Sequence, residues 1–348
     1  MSPQLHSNDR RIIDLRTDTS TLPTKEMLEA MVKAELGNDG LGEDPTVNEL
    51  EKLAGAATGK EASLFVPSGT MGNLVSLMSH AMRGDSFIAE EKSHIITHES
   101  GYRDIADLDV VRLKSNLGTI DYRELNKFEK LQSKKPKLLV VENTHNGWGG
   151  TVVRTEDMKA IHDTCGSLGI AVHLDGARLF NAAAFMKEDA SRISACADSV
   201  MFCVSKGLCA PVGSLVCGSE NFISKCRAQR KVLGGGMRQA GVLASAGIYA
   251  LKHMVSRLEE DHGNANVLAE GLSEIKQFSV DLQTVQTNIV LFKITDAAID
   301  PKSLSQKMDS YGVKINPRND GVIRCVTHKD VTREDVNYSI DAFKRAVS

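Results

Sequence analysis

Three polar segments border predicted buried strands at points where ligand chemistry is possible. The first is Ser68-Gly69-Thr70, which lies between a strand-like run and the start of a helical pattern. The N-terminus of a helix offers free N–H groups and the positive end of the helix dipole, so this segment could bind a phosphate. An ordinary helix N-cap formed by Ser68 or Thr70 is the alternative.

The second segment contains Asp175, in the run His173-Leu174-Asp175-Gly176-Ala177-Arg178. Its carboxylate follows apolar strand residues and needs a partner, because an unpaired buried charge is costly. A protonated pyridine nitrogen would serve, and so would the guanidinium of Arg178. The residues alone leave both partners open.

The third segment contains Lys206, in the run Val204-Ser205-Lys206-Gly207-Leu208. A lysine directly after a buried strand can be partly desolvated, and its amine is then available to form a Schiff base with a carbonyl compound. A solvated surface lysine is the alternative.

The elements that must position these segments alternate between short apolar runs and helical patterns. This alternation predicts an α/β fold with a mostly parallel sheet, and such sheets bind ligands at the carboxyl ends of their strands. The predicted strands are residues 62–66, 137–142, 170–174, 199–204 and 214–217. The polar groups described above nearly all fall at that edge.

A smaller C-terminal α+β domain is predicted from the pattern beyond the last of these strands. A long helix is expected over residues 246–266, followed by strands at 288–294 and 322–326 and helices near 301–311 and 332–346. The predicted organisation is an N-terminal arm (1–15), a large domain (16–252) and a small domain (253–348).

Composition excludes several classes of protein. The formal net charge is −3, with acidic and basic residues intermixed, so neither a nucleic-acid partner nor a membrane surface is indicated. No apolar run approaches the roughly 20 residues of a membrane span, and the polar start of the chain does not read as a signal peptide. Seven cysteines without a C-x-x-C pair indicate buried thiols in a reducing cytoplasm, and no metal site is expected.

The three segments together match one known layout. A phosphate-binding helix start, a carboxylate at a strand end and a lysine at a later strand end occur in the order typical of fold-type I pyridoxal-phosphate (PLP) enzymes. PLP needs its phosphate anchored, its ring nitrogen protonated and its aldehyde held as an imine.

Further runs extend this match, and the sequence resembles the L-threonine aldolase family of the β-eliminating lyase group from Asp14 to about Asp330. The number and order of the matching runs make the resemblance specific. They are Asp14-Leu15-Arg16-Thr17-Asp18-Thr19, Asp44-Pro45-Thr46-Val47-Asn48, Glu142-Asn143-Thr144-His145-Asn146, residues 173–178, Ser205-Lys206-Gly207-Leu208, Gly234-Gly235-Gly236-Met237-Arg238-Gln239 and Arg324-Cys325-Val326-Thr327-His328.

The resemblance implies a fold-type I fold and a set of cofactor contacts. Lys206 is expected to hold the PLP aldehyde as an imine, and Asp175 to pair with the pyridinium nitrogen. Ser68-Gly69-Thr70 is expected to bind the phosphate, with Arg238 reaching it from a neighbouring subunit. The resemblance therefore also implies a homodimer or homotetramer with shared active sites.

The same resemblance implies the substrate contacts and the reaction. Arg178, which also lies at the cofactor, and Arg324 are expected to bind the substrate carboxylate with help from Thr17. His94 is expected to stack on the cofactor ring, and His145 to act on the substrate hydroxyl directly or through water. The implied reaction cleaves L-threonine, L-allo-threonine and related β-hydroxy amino acids to glycine and an aldehyde.

Some choices stay open. Either His94 or His145 could be the base, and an aminotransferase or another β-eliminating reaction would use the same cofactor contacts. Three residues depart from the family pattern. Leu41 stands where tyrosine is usual, Thr17 replaces the commoner serine, and Tyr102 occupies a position where relatives often have glycine. These departures bear on which amino acid fits.

Overall fold

The computed structural model of the chain describes residues 12–130, 135–318 and 321–348. The polar start, residues 1–11, on which the expectation about a signal peptide rests, lies outside the described residues, and so does most of the predicted N-terminal arm. Within the described ranges, no helix has the length and apolar run needed to cross a membrane.

Thirteen strands occur in the described ranges. They are β1 (Ile13–Asp14), β2 (Ala62–Val66), β3 (Ser86–Glu90), β4 (Asp109–Leu113), β5 (Leu138–Glu142), β6 (Ala171–Asp175), β7 (Ser199–Cys203), β8 (Ser214–Gly218), β9 (Phe278–Val280), β10 (Ile289–Ile294), β11 (Val313–Lys314), β12 (Asn316–Pro317) and β13 (Val322–Val326).

The α-helices in the same ranges are α1 (Lys25–Val32), α2 (Pro45–Thr58), α3 (Gly69–His80), α4 (His94–Thr97), α5 (Gly101–Asp104), α6 (Thr155–Leu168), α7 (Leu179–Met186), α8 (Ala190–Ser194), α9 (Glu220–Val232), α10 (Gly241–Tyr249), α11 (Leu258–Ser273), α12 (Pro301–Ser310) and α13 (Arg333–Val347). Short 3₁₀ turns cover Asp18–Ser20, Asp39–Leu41, Tyr122–Phe128, Asn146–Trp148 and Leu282–Thr284, and a π-helical turn covers Ala250–Met254.

The central sheet has seven strands in the order β2-β8-β7-β6-β5-β3-β4. Only β8 pairs antiparallel with its neighbours, and the remaining pairs are parallel. The predicted mostly parallel sheet is therefore confirmed. Because β5, β6 and β7 lie side by side and run the same way, the residues that end them meet at one edge.

Two strands of this sheet, β3 and β4, are missing from the sequence-based prediction. Strand β3 has only three apolar residues between Ser86 and Glu90, and β4 begins with an exposed aspartate and lies at the sheet edge. Short runs with a charge at one end give a weak period-2 signal. Their place in the sheet comes from tertiary pairing.

The prediction of one continuous helix over residues 246–266 is wrong. Helix α10 ends at Tyr249, a π-helical turn follows, and α11 starts at Leu258. The apolar residues Met254 and Leu258 stay buried across this break. Since the burial pattern continues, apolar periodicity alone cannot reveal where the helical geometry changes.

Apolar side chains form two large clusters that meet along the π-helical turn and α11. One covers the central sheet and reaches Leu258, and the other starts at Ala265 and fills the C-terminal part. Strand β1 pairs in parallel with β11, which carries Ile13 and Leu15 into the second cluster. The division at residues 252–253 stays a prediction, since the first cluster extends past it to Met254 and Leu258.

Gly213, in the turn before β8, allows the chain to pass close to a buried aromatic ring. Its φ is +114°, and a Cβ atom there would lie 2.4 Å from Cε2 of Phe65. We expect Gly213→Ala to lower the free energy of unfolding by about 2 to 4 kcal/mol, because it adds both backbone strain and overpacking. Urea denaturation of the purified variant measures this loss.

Gly166→Ala is the matched control. Gly166 lies within α6, and nothing lies within 4 Å of the added methyl group. Helix propensity predicts a gain of about 0.5 to 1 kcal/mol there. Equal losses in the two variants would contradict the local explanation.

Candidate active site

A cavity of about 390 Å³ opens at the carboxyl edge of the central sheet, where β5, β6 and β7 end. Its wall brings together six of the residues expected from the sequence to act at the site: Thr17, His94, Asp175, Arg178, Lys206 and Arg324. Ser68, Gly69, Thr70, His145 and Arg238 do not line it.

Asp175, the last residue of β6, is buried and held by two hydrogen bonds. Its Oδ2 accepts from Asn73 Nδ2 at 2.9 Å, and its Oδ1 accepts from the backbone N–H of Ala177 at 3.1 Å. Glu142, which ends β5, lies directly opposite in the sheet register. Asp175 is thus fixed by neutral donors, and the ion pair with Arg178 that the sequence left open does not form.

Arg178 instead forms a bidentate ion pair with Asp18. Its Nε and Nη2 atoms each lie 2.7 Å from a carboxylate oxygen of Asp18, and both side chains are buried. Burial would raise the pKa of Asp18, but the Arg178 guanidinium outweighs this effect and holds the pKa well below its usual range. The pair leaves Nη1 as the part of the Arg178 fork that can reach a ligand.

Arg324, in β13, is a buried cation bonded only to neutral acceptors in the described part of the chain. Its Nη1 donates to the carbonyl of Arg16 and its Nη2 to Oδ1 of Asn146, both at 3.0 Å, while its buried Nε has no partner. Burial, together with the nearby Arg178 cation, lowers the pKa of Arg324 to about 10. This guanidinium is suited to a carboxylate ligand.

His94 lines the cavity and is oriented by a buried carboxylate. Its Nδ1 lies 2.8 Å from Oε1 of Glu99, and its ring stacks on that of His98 with the centroids 4.9 Å apart. Burial alone would lower the pKa of His94, but the hydrogen bond that Glu99 accepts and the nearby charges of Asp175, Glu99 and Glu142 together outweigh it, so the net pKa is raised. The backbone N–H of His94 donates to Glu142 at 2.6 Å, which fixes the start of α4.

His145 is fully buried behind the cavity wall. Its Nε2 lies 3.0 Å from Oε2 of Glu90, in ion-pair contact without the alignment of a hydrogen bond. Burial would lower the pKa of His145, but the carboxylates of Glu142 and Glu90 outweigh it and raise the pKa. The structure does not bring this imidazole to the cavity surface.

Lys206 follows β7 by three residues, and its side chain lines the cavity. The hydroxyl of Thr21 donates to its backbone carbonyl at 2.9 Å, and that carbonyl also accepts from the N–H of Cys209. These bonds hold the loop in place, so the amine is presented at the same edge as Asp175.

Ser68-Gly69-Thr70 begins α3. The hydroxyl of Ser68 accepts from the N–H of Met71 at 3.1 Å, so the ordinary N-cap is present. The N–H groups of Gly69 and Thr70 have no acceptor within the described residues, which leaves them available to an anion. A Cβ at Gly69 would lie 2.9 Å from Sγ of Cys203, so glycine lets the helix start lie against the sheet.

Arg238 lies in a different cavity, of about 890 Å³, which Leu41 also lines. Its guanidinium approaches Gly40, where a Cβ would lie 2.8 Å from Nη1. Within one chain, the structure does not bring Arg238 together with Lys206. Tyr102 is buried in the apolar cluster beside β3 and does not line either cavity.

Several residues that shape the site were not singled out from the sequence: Asp18, Asn73, Glu99 and Glu142. Asp18 and Glu142 stand inside runs that carried the resemblance, so they had a motif signal. Asn73 and Glu99 lie outside those runs. Only the folded chain brings them into contact with Asp175 and His94.

Comparisons with known proteins agree with this geometry. A family model described as beta-eliminating lyase matches residues 14–295. The chain belongs to the beta-eliminating lyase family. Among curated members, it is 39% identical to low-specificity L-threonine aldolase 1 of Arabidopsis thaliana, with 97% of each chain covered. It is 38% identical to the low-specificity L-threonine aldolase of Escherichia coli (strain K12), with 93% of this chain and 96% of that protein covered. The resemblance found in the sequence is confirmed.

Solved structures show the same fold at lower identity. A threonine aldolase from Leishmania major superposes with a TM-score of 0.82 at 18% identity, covering 97% of this chain and all of the other. A serine palmitoyltransferase from Sphingomonas wittichii gives 0.78 at 20% identity, covering 97% and 88%. The predicted fold-type I class of this beta-eliminating lyase is confirmed.

The Asp18–Arg178 pair generates a stability prediction. Removing one member of a buried ion pair leaves the other charge uncompensated, so we expect Asp18→Ala to lower the free energy of unfolding by about 3 to 5 kcal/mol. In Asp163→Ala, the control, an exposed pair with Lys159 is lost, and a change of about 1 kcal/mol or less is expected. Chemical denaturation compares them, and similar losses would refute the role of burial.

Proposed function

We propose that this chain is a PLP-dependent aldolase that cleaves L-threonine, L-allo-threonine and related β-hydroxy amino acids to glycine and an aldehyde. One observation carries the proposal: a single cavity wall presents an amine (Lys206), a buried carboxylate (Asp175) and a guanidinium without a carboxylate partner in the described part of the chain (Arg324). The names of the 38–40% identical relatives support the same reaction.

The residues present fit PLP. The free N–H groups at the start of α3 suit its phosphate, Asp175 suits its protonated ring nitrogen, and Lys206 suits its aldehyde. When bound, this cofactor accepts the electron pair that remains on the substrate Cα after bond cleavage. The buried Asp175 favours the cationic ring that such chemistry needs.

Arg324 is proposed to bind the substrate carboxylate. A planar guanidinium can bond both carboxylate oxygens, and the buried Nε without a partner gives it an unused donor. Arg178 and Thr17 line the same wall, so Nη1 of Arg178 and the hydroxyl of Thr17 are proposed to assist. Clamping the carboxylate orients the Cα–Cβ bond for cleavage, which lowers the entropic part of the barrier.

His94 is proposed as the base. It lines the cavity and Glu99 holds its Nδ1, whereas His145 is enclosed behind the wall. His94 takes the proton of the β-hydroxyl as the Cα–Cβ bond breaks, and the carbonyl of the departing aldehyde forms. A proton returned to Cα then completes glycine.

We also propose that the working enzyme has more than one subunit and acts in the cytoplasm. Arg238 does not line the cavity that contains Lys206 and Asp175 in the same chain, so we expect it to serve the site of a neighbouring subunit. The seven cysteines are buried free thiols, as a reducing compartment permits.

Lys206→Ala tests the cofactor assignment. We expect the variant to lose both the visible absorbance of bound PLP and the release of acetaldehyde from L-threonine, because no amine remains to hold the cofactor. Borohydride reduction of the unmodified protein, followed by peptide mapping, should label Lys206. Lys225→Ala, in which an exposed lysine of α9 is changed, should behave like the unmodified protein. A label on another lysine would overturn the assignment.

Arg324→Ala tests the substrate assignment. Loss of a charge-assisted contact of about 1.5 to 3 kcal/mol should raise KM for L-threonine roughly 10- to 100-fold. Arg324→Lys keeps the charge but not the fork, so it should recover only part of the affinity. Steady-state kinetics with both threonine epimers measures this effect, and an unchanged KM would remove Arg324 from the carboxylate site.

A further inference from the structure

A buried chain of hydrogen bonds runs from Asp175 along the interface between α3 and the central sheet to His80, the last residue of α3. Asn73, in α3, donates through Nδ2 to Oδ2 of Asp175 at 2.9 Å and to Oε1 of Glu99 at 3.1 Å. Its Oδ1 lies 3.3 Å from Nε2 of His173. His173 Nδ1 lies 2.8 Å from Oγ of Ser199. We call Asn73, His173, Ser199 and His80 together the Asn73 network.

The last link is His80, the half-buried final residue of α3. Its Nε2 lies 2.7 Å from Oγ of Ser199. Burial lowers the pKa of His80 to about 4 and that of His173 to about 3, so both rings are neutral near neutral pH. Each ring therefore has one N–H donor and one acceptor nitrogen.

Because both rings are neutral, only one placement of the protons satisfies every hydrogen bond of the network. The carboxylates of Asp175 and Glu99 can only accept, so Nδ2 of Asn73 must face them. Its Oδ1 must then accept, and His173 must carry its proton on Nε2. His173 Nδ1 then accepts from Ser199, and Ser199 Oγ accepts from His80. Every donor in the network thus points toward the carboxylates of Asp175, at the cavity wall, and Glu99.

Asn73 also stands at a defined point on α3. It lies one helical turn after Gly69, on the same face as the free N–H groups at the helix start. Gly72 permits this face to press against β7, since a Cβ there would lie 2.6 Å from Cγ of Met201. One helix therefore presents both an anion-binding end and the donor to Asp175.

We propose that Asn73 is a positioning residue that orients Asp175 toward the cofactor ring and Glu99 toward His94, and that the His173 link keeps its amide from turning over. The proposal deepens the proposed function and rests on it. A reversed amide would place Oδ1 against two carboxylates, which is repulsive in a buried site. Asn73 thus couples the acid at the ring to the group that orients the base.

Matched variants separate the links of the network. Asn73→Leu keeps the approximate volume and removes both donors. His173→Gln retains a donor near the Nε2 position, and His173→Leu does not. Ser76→Ala is the control, because Ser76 is equally buried in α3 but donates only to the carbonyl of Gly72.

The first readout is cofactor binding and turnover. PLP titration of the cofactor-free protein, followed by visible absorbance, should give a Kd raised roughly tenfold or more in Asn73→Leu and His173→Leu, the effect expected for a lost hydrogen bond to a charged group. Their kcat should fall while KM for L-threonine changes little, because Arg324 is untouched. His173→Gln should stay near the unmodified protein. Asn73→Leu behaving like Ser76→Ala, or the two His173 variants behaving alike, would overturn the proposal.

The second readout does not depend on the cofactor. The cofactor-free protein is labelled with ¹⁵N-histidine, and the NMR signal of His173 is identified as the one missing from His173→Gln. The imidazole of His173 should be in the neutral Nε2–H form from pH 6 to 8. A protonated ring or an Nδ1–H form would overturn the network. If this form is found but the unmodified protein neither binds PLP nor cleaves threonine, the proposed function fails instead.

Discussion

Two carboxylates buried side by side are the constraint on which the site depends. Glu142 and Asp175 end adjacent strands, lie opposite each other in the sheet register and are almost entirely buried at the cavity wall. Burial, together with the neighbouring Asp175, raises the pKa of Glu142. A buried charge is tolerated only when it is hydrogen-bonded or paired, so the surrounding chain must supply donors.

The chain supplies those donors from different elements. Glu142 accepts from the backbone N–H groups of His94 and Asn146, and Asp175 accepts from Asn73 and Ala177. Satisfying the acids therefore fixes the start of α4, the turn after β5 and the depth of α3. The same contacts place His94 beside the cavity, so stability and site geometry share one cause.

The arginines of the site show two different electrostatic situations. Arg178 is neutralised by Asp18 within the chain, whereas Arg324 has only carbonyl and amide acceptors among the described residues. The cost of burying Arg324 is visible in its lowered pKa. An anionic substrate would offset that cost. The binding of an amino acid is thereby linked to the C-terminal four-stranded sheet, of order β12-β13-β10-β9, which carries Arg324.

The sequence alone was sufficient for the fold class and for the principal polar residues. Alternating apolar runs predicted the parallel sheet, and the runs around Asp175, Lys206 and Arg324 predicted three residues of the cavity wall. Local patterns carry this information because strand ends and helix starts are specified by neighbouring residues. Tertiary structure decided the partner of Arg178, the enclosure of His145, the break before α11 and the contacts of Asn73. Each of these depends on groups distant in sequence, such as Asp18 with Arg178, whose contact only the packed chain establishes.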